Sequence, residues 1–449
     1  MTHSAGVGTR GTWGSKLTFV LAAAGSAIGL GNIWGFPMMV GLYGGSGFVF
    51  VYLICVLLLG VPVMMAELTI GRSARSDPVG AFKKLAPQTR WRFVGVLGVV
   101  TGLVILSYYS VVAGWTLRYL ATTLTEGLGE SPAEIQAAFT GFLAGPWPLV
   151  FHALFMALTI WVVMGGVEGG IERITKILMP FLLLILLLLV LRSVTLEGAW
   201  RGIDFYLRPD LSKISFSVVL AAMGQAFFSL SLGMGAMITY GSYLSEKEDL
   251  ASSALYVSLS DLLVAFLAGL AIFPALFSVP GLKPDEGPAL IFLVLPNIFN
   301  TIPFGQLFGT AFYLLVAIAA LTSAISLLEV VVAYFIDQRG WSRRWAALVV
   351  GVSAYLLGVP SALGEGYVSF FSGFLSRVDF LFGKLSLVIG GLFICLFVGW
   401  RWGTANAVAE IQRSNPGFRL GEAWSFLVKF LCPLAIAVIL IRQLADLLL

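Results

Sequence analysis

Gly25-Ser26-Ala27-Ile28-Gly29-Leu30-Gly31-Asn32 interrupts the first long apolar run of this chain. Ser229-Leu230-Ser231-Leu232-Gly233-Met234-Gly235 interrupts another, 204 residues later from Gly29 to Gly233, which is close to half of the 449 residues. Each glycine costs a helix about 1 kcal/mol relative to alanine, so paired glycines with small hydroxyl neighbours mark places where a helix unwinds. Taken alone, Gly25–Gly29 or Gly31–Gly35 also fits the small-x-x-x-small pattern that lets helices pack closely. Two matching interruptions in two halves, with Asn32 directly behind the first, point instead to a site. Unwound backbone at membrane depth persists only where it is buried in protein or lines a polar cavity, and matched broken helices mark the binding site of a transporter.

The composition agrees. Hydrophobic residues make up 59% and charged residues 11%, against about 25% charged in a soluble domain. This excludes a soluble enzyme, a disordered chain and a disulfide-rich secreted protein. The 27 basic and 23 acidic residues give a net charge of +4, too even for a nucleic-acid partner. Cys55, Cys395 and Cys432 lie in apolar runs and offer no metal spacing or disulfide framework. With His3 and His152 as the two histidines, no nucleophile–base constellation is visible. The polar N-terminus predicts no cleavable signal peptide.

A helix needs about 20 apolar residues to cross a bilayer. Leu17 to Ala66 carries no charge and accommodates two crossings with a turn at Gly41–Gly47. Further spans read as Phe93–Arg118, Pro146–Met164, Ile171–Leu191, Ile214–Tyr243, Leu250–Val279, Phe304–Asp337, Trp345–Leu363, Gly373–Trp400 and Ala423–Leu447, 11 in all. Arg72, Arg75, Lys83, Lys84, Arg90 and Arg92 follow span two; Arg339, Arg343 and Arg344 follow span eight; Arg401, Arg413 and Arg419 follow span ten. The loop Thr122–Gly145 holds Glu126, Glu130 and Glu134 and no basic residue. The positive-inside bias therefore places the N-terminus in the cytoplasm and the C-terminus outside. Arg192, Arg201 and Arg208, in an outer loop, run against it.

The string Gly25-Ser-Ala-Ile-Gly-Leu-Gly-Asn-Ile-Trp-Gly-Phe-Pro37 resembles the first-helix signature of the neurotransmitter:sodium symporters. Gln225-Ala-Phe-Phe-Ser-Leu-Ser-Leu-Gly-Met-Gly-Ala-Met-Ile-Thr-Tyr240 resembles their sixth helix, Ala319-Ala-Leu-Thr-Ser-Ala324 their eighth, and Gly287-Pro-Ala-Leu-Ile-Phe-Leu-Val-Leu-Pro296 their fourth outer loop. The likeness runs from Trp13 to span eleven and is strongest to bacterial amino-acid symporters of the LeuT and MhsT type. It implies an all-α integral membrane protein with a LeuT-like 5+5 inverted repeat and broken helices 1 and 6. Residues 1–449 would form one transporter domain, with repeats at 13–193 and 213–402 and helix 11 at 423–447. A multi-pass protein of the inner (cytoplasmic) membrane, monomeric or weakly dimeric, follows from the same likeness.

Sodium is a hard cation and takes oxygen ligands. By resemblance, one ion is held by the Ala27 carbonyl, Asn32, Ser229, Asp261 and the substrate carboxylate. A second is held by the Gly25, Ile28 and Ala319 carbonyls and the Thr322 and Ser323 hydroxyls. Thr322 and Ser323 alone also read as hydroxyls bonding back to the preceding turn. Many family members have Asn at the place of Asp261, with a Ser one turn later and a chloride close by. Here Asp261 is followed by Ala265, so a fixed carboxylate replaces the anion and chloride independence is expected; the alternative is a protonated, hydrogen-bonded aspartate.

Monoamine carriers hold an Asp at the position of Gly29. A glycine there admits the substrate's own carboxylate, which half-helix N-termini favour. The resemblance assigns the substrate to Ala27, Gly29, Leu30, Gly31 and Ser229, with Tyr109 on the carboxylate and Phe228 as a lid. Ile105, Met234 and Leu327 would line an apolar side-chain pocket, with Ser231 and Ser323 at its polar end. A hydrophobic or aromatic L-amino acid fits this set; another small zwitterion or a non-transporting receptor is the alternative. Arg10, Trp13, Tyr243 and Asp337 match the inner gate. Asp379 matches the acid of the outer gate, but Gly35 stands where its arginine belongs, leaving Arg377, Gln225 or water. Gly170 and Pro180, ten apart in span five, resemble a segment that unwinds toward the second sodium. Glu67 and Glu329 read as intramembrane acids with structural hydrogen bonds.

Overall fold

The structure, a computed structural model, describes residues 11–129, 131–279 and 291–448. All regular elements among them are helical, as lipid requires: a helix satisfies its own backbone, whereas an open strand edge does not. The chain runs α1 (Lys16–Ala27), α2 (Gly31–Leu42), α3 (Ser46–Ala74), α4 (Pro78–Leu85), α5 (Arg92–Thr125), α6 (Pro132–Leu143), α7 (Trp147–Met164) and α8 (Val167–Val194). It continues through α9 (Ala199–Leu207), α10 (Phe216–Ser229), α11 (Ala236–Gly241), α12 (Leu250–Ser278), α13 (Val294–Thr301), α14 (Gly305–Arg339), α15 (Arg343–Gly364), α16 (Ser369–Ser414) and α17 (Gly421–Ala445). Ser15, Ser215 and Asp249 cap α1, α10 and α12 by accepting from orphan backbone N–H groups.

Among the described residues nine helices are long and apolar enough to cross a membrane, and α1 with α2, bent by 54°, forms a tenth. The helices α10 and α11 flank the second interruption. Burial sorts the bundle: 94% of the apolar window of α14 is enclosed, against 33% for α8 and for α17. The first is a central post and the other two face lipid.

Both interruptions fall where the glycines put them. α1 ends at Ala27 and α2 begins at Gly31. In the second, Gly233 and Gly235 have φ of +84° and +78°, open to glycine at no steric cost. A Cβ on Gly233 would run into the Leu387 carbonyl. Ser231 also adopts a positive φ of 55°; its Oγ donates to the Ser26 carbonyl at 3.0 Å, tying one break to the other. The Glu67 carboxylate accepts the Gly233 N–H at 2.7 Å, the structural hydrogen bond expected of it.

One charge read as following a span, Arg72, is buried instead. Arg72 has no exposed side-chain surface; its Nε meets Glu410 Oε1 at 2.8 Å, and its Nη1 donates to the Glu248 carbonyl at 2.6 Å and to Ser414 Oγ at 2.9 Å. α16 runs on to Ser414, well past the expected end at Trp400, and that extension carries Glu410 to Arg72. Two of the three arginines that run against the charge bias are locally engaged: Arg192 lies over the Phe308 ring and Arg208 pairs with Asp204 at 3.8 Å.

Removing one member of a buried pair strands the other, at about 3–5 kcal/mol. Glu410→Gln is expected to lower the thermal midpoint of the detergent-solubilised protein, while Arg72→Met with Glu410→Leu recovers part of the loss.

Candidate functional site

The two interruptions meet around one carboxylate. α12 presents Asp261, which is fully buried. Asn32 Nδ2 donates to Asp261 Oδ1 at 2.7 Å and to its backbone carbonyl at 3.1 Å. Ser229 Oγ lies 2.9 and 3.0 Å from the two carboxylate oxygens, and the Tyr52 hydroxyl donates to Oδ2 at 3.3 Å. The other end of the Asn32 amide, Oδ1, accepts the Gly29 N–H at 3.0 Å. Asn32, Ser229 and Asp261 are thus together, with buried Ala27 in the same break. Tyr52 was not singled out from sequence; its one signal was that a buried carboxylate needs several donors.

A second oxygen cluster lies where α14 passes the first break. Ser323 Oγ is 3.1 Å from the Ser26 carbonyl and 3.4 Å from that of Ile28. Thr322 Oγ1 donates to the Ala319 carbonyl at 3.0 Å and to that of Ile318 at 3.3 Å, the back-bonding weighed as the alternative for this hydroxyl. A hydroxyl that donates its hydrogen this way still presents lone pairs to a cation. Gly25 packs here: a Cβ on it would stand 3.2 Å from Thr322 Cβ.

Above the breaks a cavity of about 780 Å³ opens to one end of the bundle, bounded below by Leu30, Tyr109 and Phe228. The Tyr109 hydroxyl accepts the Leu30 N–H at 3.2 Å. Gly29 sits in a close approach, since a Cβ would collide with Ser323 Oγ and lie 2.8 Å from the Tyr109 hydroxyl. Gly31 has the same relation to the Phe228 ring, at 3.2 Å. Ile105, Met234 and Leu327 are buried beneath, outside the wall of the open cavity.

In that cavity Asp379 is held by the Tyr108 hydroxyl, 3.0 Å away. Arg377 donates to the Ser372 carbonyl. Gln225 spans the gap beside Gly35: its Nε2 donates to the Gly31 carbonyl at 2.7 Å, and a Cβ on Gly35 would be 3.5 Å from it. At the opposite end the bundle is closed. The Trp13 indole donates to the Tyr240 carbonyl at 3.0 Å and its ring packs edge-on against Tyr240 and Tyr243.

Tyr243, grouped with Asp337 in the expected inner gate, donates its hydroxyl to Glu329 Oε1 at 2.6 Å. Glu329 in turn takes the Arg343 guanidinium two-handed, at 2.7 and 3.0 Å. A fully buried acid needs a countercharge, and Arg343 at the start of α15 supplies it, a pairing that sequence spacing did not announce. Asp337 accepts the Asp77 N–H at 2.7 Å; Arg10, its expected partner, lies outside the described residues. Gly170 and Pro180 both lie within continuous α8, so the segment expected to unwind is helical here. The Gly14 N–H bonds Glu172 at 3.0 Å and anchors the N-terminal segment to it.

The profile of the sodium:neurotransmitter symporter family matches residues 10–138 and 134–448. The sodium-dependent transporter YhdH of Bacillus subtilis is 40% identical over 437 residues, 96% of this chain and 97% of that protein. A sodium-dependent transporter of Haemophilus influenzae is 34% identical, covering 97% of this chain and 98% of its own length. The crystal structure of MhsT in complex with L-phenylalanine superposes with a TM-score of 0.88 at 47% identity, over 97% of this chain and 100% of that one.

Asp261→Ala is expected to leave the Asn32, Ser229 and Tyr52 donors without their carboxylate, at about 1–3 kcal/mol each. Tyr52→Phe removes one donor and leaves the others paired. The thermal midpoint should therefore fall clearly further for Asp261→Ala than for Tyr52→Phe.

Proposed function

This chain belongs to the sodium:neurotransmitter symporter family, and we propose that it imports hydrophobic or aromatic L-amino acids with sodium by alternating access and without chloride. As a member it is a sodium-dependent symporter, a multi-pass membrane protein and not an enzyme. The observation that carries the finer reading is the meeting of the two breaks around buried Asp261, with a second oxygen cluster at Ser323. Sodium requires such hard oxygens in a dry setting.

In this reading one ion takes the Ala27 carbonyl, Asn32, Ser229, Asp261 and the substrate carboxylate. A second takes the Gly25, Ile28 and Ala319 carbonyls with Thr322 and Ser323. The three donors on Asp261 keep an ionised carboxylate tolerable in the interior, where it supplies the negative charge otherwise brought by chloride. The substrate carboxylate lies at Gly29 and Gly31 beside Tyr109, with Ser231 at the polar end and Phe228 as the lid. Its side chain fills the space among Ile105, Met234 and Leu327, where Met adapts to shape. The L-phenylalanine in the MhsT structure supports this class of substrate. The N-terminus faces the cytoplasm, the protein sits in the inner membrane, and 13–193 and 213–402 rock about the site as inverted repeats.

The gates follow. Trp13, Tyr243, Glu329 and Arg343 close the inner end, with Arg10 and Asp337 as the latch. Helical α8 is in its closed form, and Gly170 with Pro180 is where it unwinds. The outer closure differs from the family pattern, since Tyr108 holds Asp379 and Gln225 fills the side of Gly35.

Isothermal titration in sodium gluconate tests substrate and anion together. Leucine, phenylalanine or tryptophan should bind, and replacing gluconate with chloride should change nothing. Tryptamine lacks the carboxylate and leaves its donors unpaired at about 1–3 kcal/mol each, a roughly tenfold or larger loss of affinity. Tight tryptamine binding, or preference for a betaine or a small polar amino acid, overturns the pocket. Separately, Thr322→Ala with Ser323→Ala should abolish the sodium dependence of substrate binding in a protein that stays folded, read by thermal shift with and without sodium.

A further inference from the structure

We propose that the turn between α4 and α5 is a binding site for the phosphodiester headgroup of an anionic phospholipid. Between Arg72 and Arg92 the chain carries six basic residues and one acid, Asp77. Three of the six are already engaged. Arg72 pairs with Glu410, Arg75 with Glu246, and Lys84 donates to the Ala74 and Arg75 carbonyls. The other three, Lys83, Arg90 and Arg92, line one cavity of about 320 Å³ together with Gln88 and Thr89.

Those three cations lack a carboxylate among the described residues. Lys83 donates to the neutral amide of Gln338 at 2.8 Å. Arg92 lies over the Phe93 ring at 5.1 Å, and Arg90 makes no side-chain hydrogen bond or ion pair among the described residues. Three converging cations with no internal countercharge leave the cavity strongly attractive to an anion, and phosphate oxygens are the acceptors that guanidinium groups match in geometry. The turn has a defined shape. Gln88 holds a φ of +60° and Thr89 Oγ1 donates to the Ala86 carbonyl at 2.7 Å. The 34-residue α5 begins at Arg92, so the positive end of its dipole adds to the same field.

The apolar surface beside the cavity selects a lipid over free phosphate. Phe93, Val96 and Val100 follow Arg92 at helical spacing and are 56%, 37% and 42% exposed. They form a stripe down the membrane face of α5 that starts at the cavity. An acyl chain along this stripe sets its headgroup among Arg90, Arg92 and Lys83, as basic pockets at the cytoplasmic membrane surface do.

Native mass spectrometry of the delipidated full chain in neutral detergent tests this, with phosphatidylglycerol and phosphatidylcholine as probes. Wild type should retain phosphatidylglycerol over phosphatidylcholine. Arg90→Gln with Arg92→Gln should lose that retention roughly thirtyfold, the scale expected for two basic groups near a membrane surface. Arg344→Gln, exposed outside the cavity, should leave it unchanged. If the double variant does not fold, Arg90→Gln alone stands in, with a roughly fivefold loss expected. Equal retention of the two lipids, or undiminished retention in the variant, overturns the proposal. So does displacement of phosphatidylglycerol by millimolar inorganic phosphate, which would make the ligand free phosphate.

Discussion

Backbone polar groups inside a bilayer have no water to turn to, and every special feature of this bundle answers to that constraint. Two helices are interrupted, and each interruption is satisfied by groups brought from elsewhere. Asn32 covers the Gly29 N–H, Tyr109 that of Leu30, and Glu67 that of Gly233. Gln225 and Ser231 cover the carbonyls of Gly31 and Ser26. The breaks survive because they are stacked on one another, and the stacking creates one continuous polar lining.

The legible part of the molecule was the part written in local chemistry. Uncharged runs of bilayer length located the helices, and glycines beside serines located the breaks at Ile28 and at Leu230–Gly235 to within a residue or two. The family resemblance grouped the oxygens of Asn32, Ser229 and Asp261, and the fold brings them together. What could not be seen were contacts whose partners lie far apart in the chain. Tyr52 reaches Asp261 across 209 positions and Arg72 reaches Glu410 across 338. Arg343, counted as a loop charge, folds back onto Glu329 because only a short turn separates the end of α14 from the start of α15. Charge counting grouped Arg72 and Arg343 among the basic residues that flank the spans, but the pairing itself depends on how helices pack.

The two ends of the bundle are built on different principles. One is shut by aromatic packing around Trp13 and a desolvated carboxylate–guanidinium pair. Breaking such a pair exposes two charges at once, which makes that closure stiff. The other end keeps an open cavity in which Asp379 rests on a neutral phenol, and Gly35 withholds the cation that would draw it across.

A single carbonyl, that of Ser26, accepts the hydroxyl of Ser231 from the second break and that of Ser323 from α14. The two hydroxyls belong to elements on opposite sides of the first break, so displacing either one shifts the other's partner. Thermodynamic linkage then imposes a reciprocity. By whatever factor occupancy on the α14 side tightens binding beside Ser231, occupancy there must tighten the α14 side by the same factor. Coupling between the second break and α14 therefore needs no relay through the bundle, because both hydroxyls read the position of one oxygen atom.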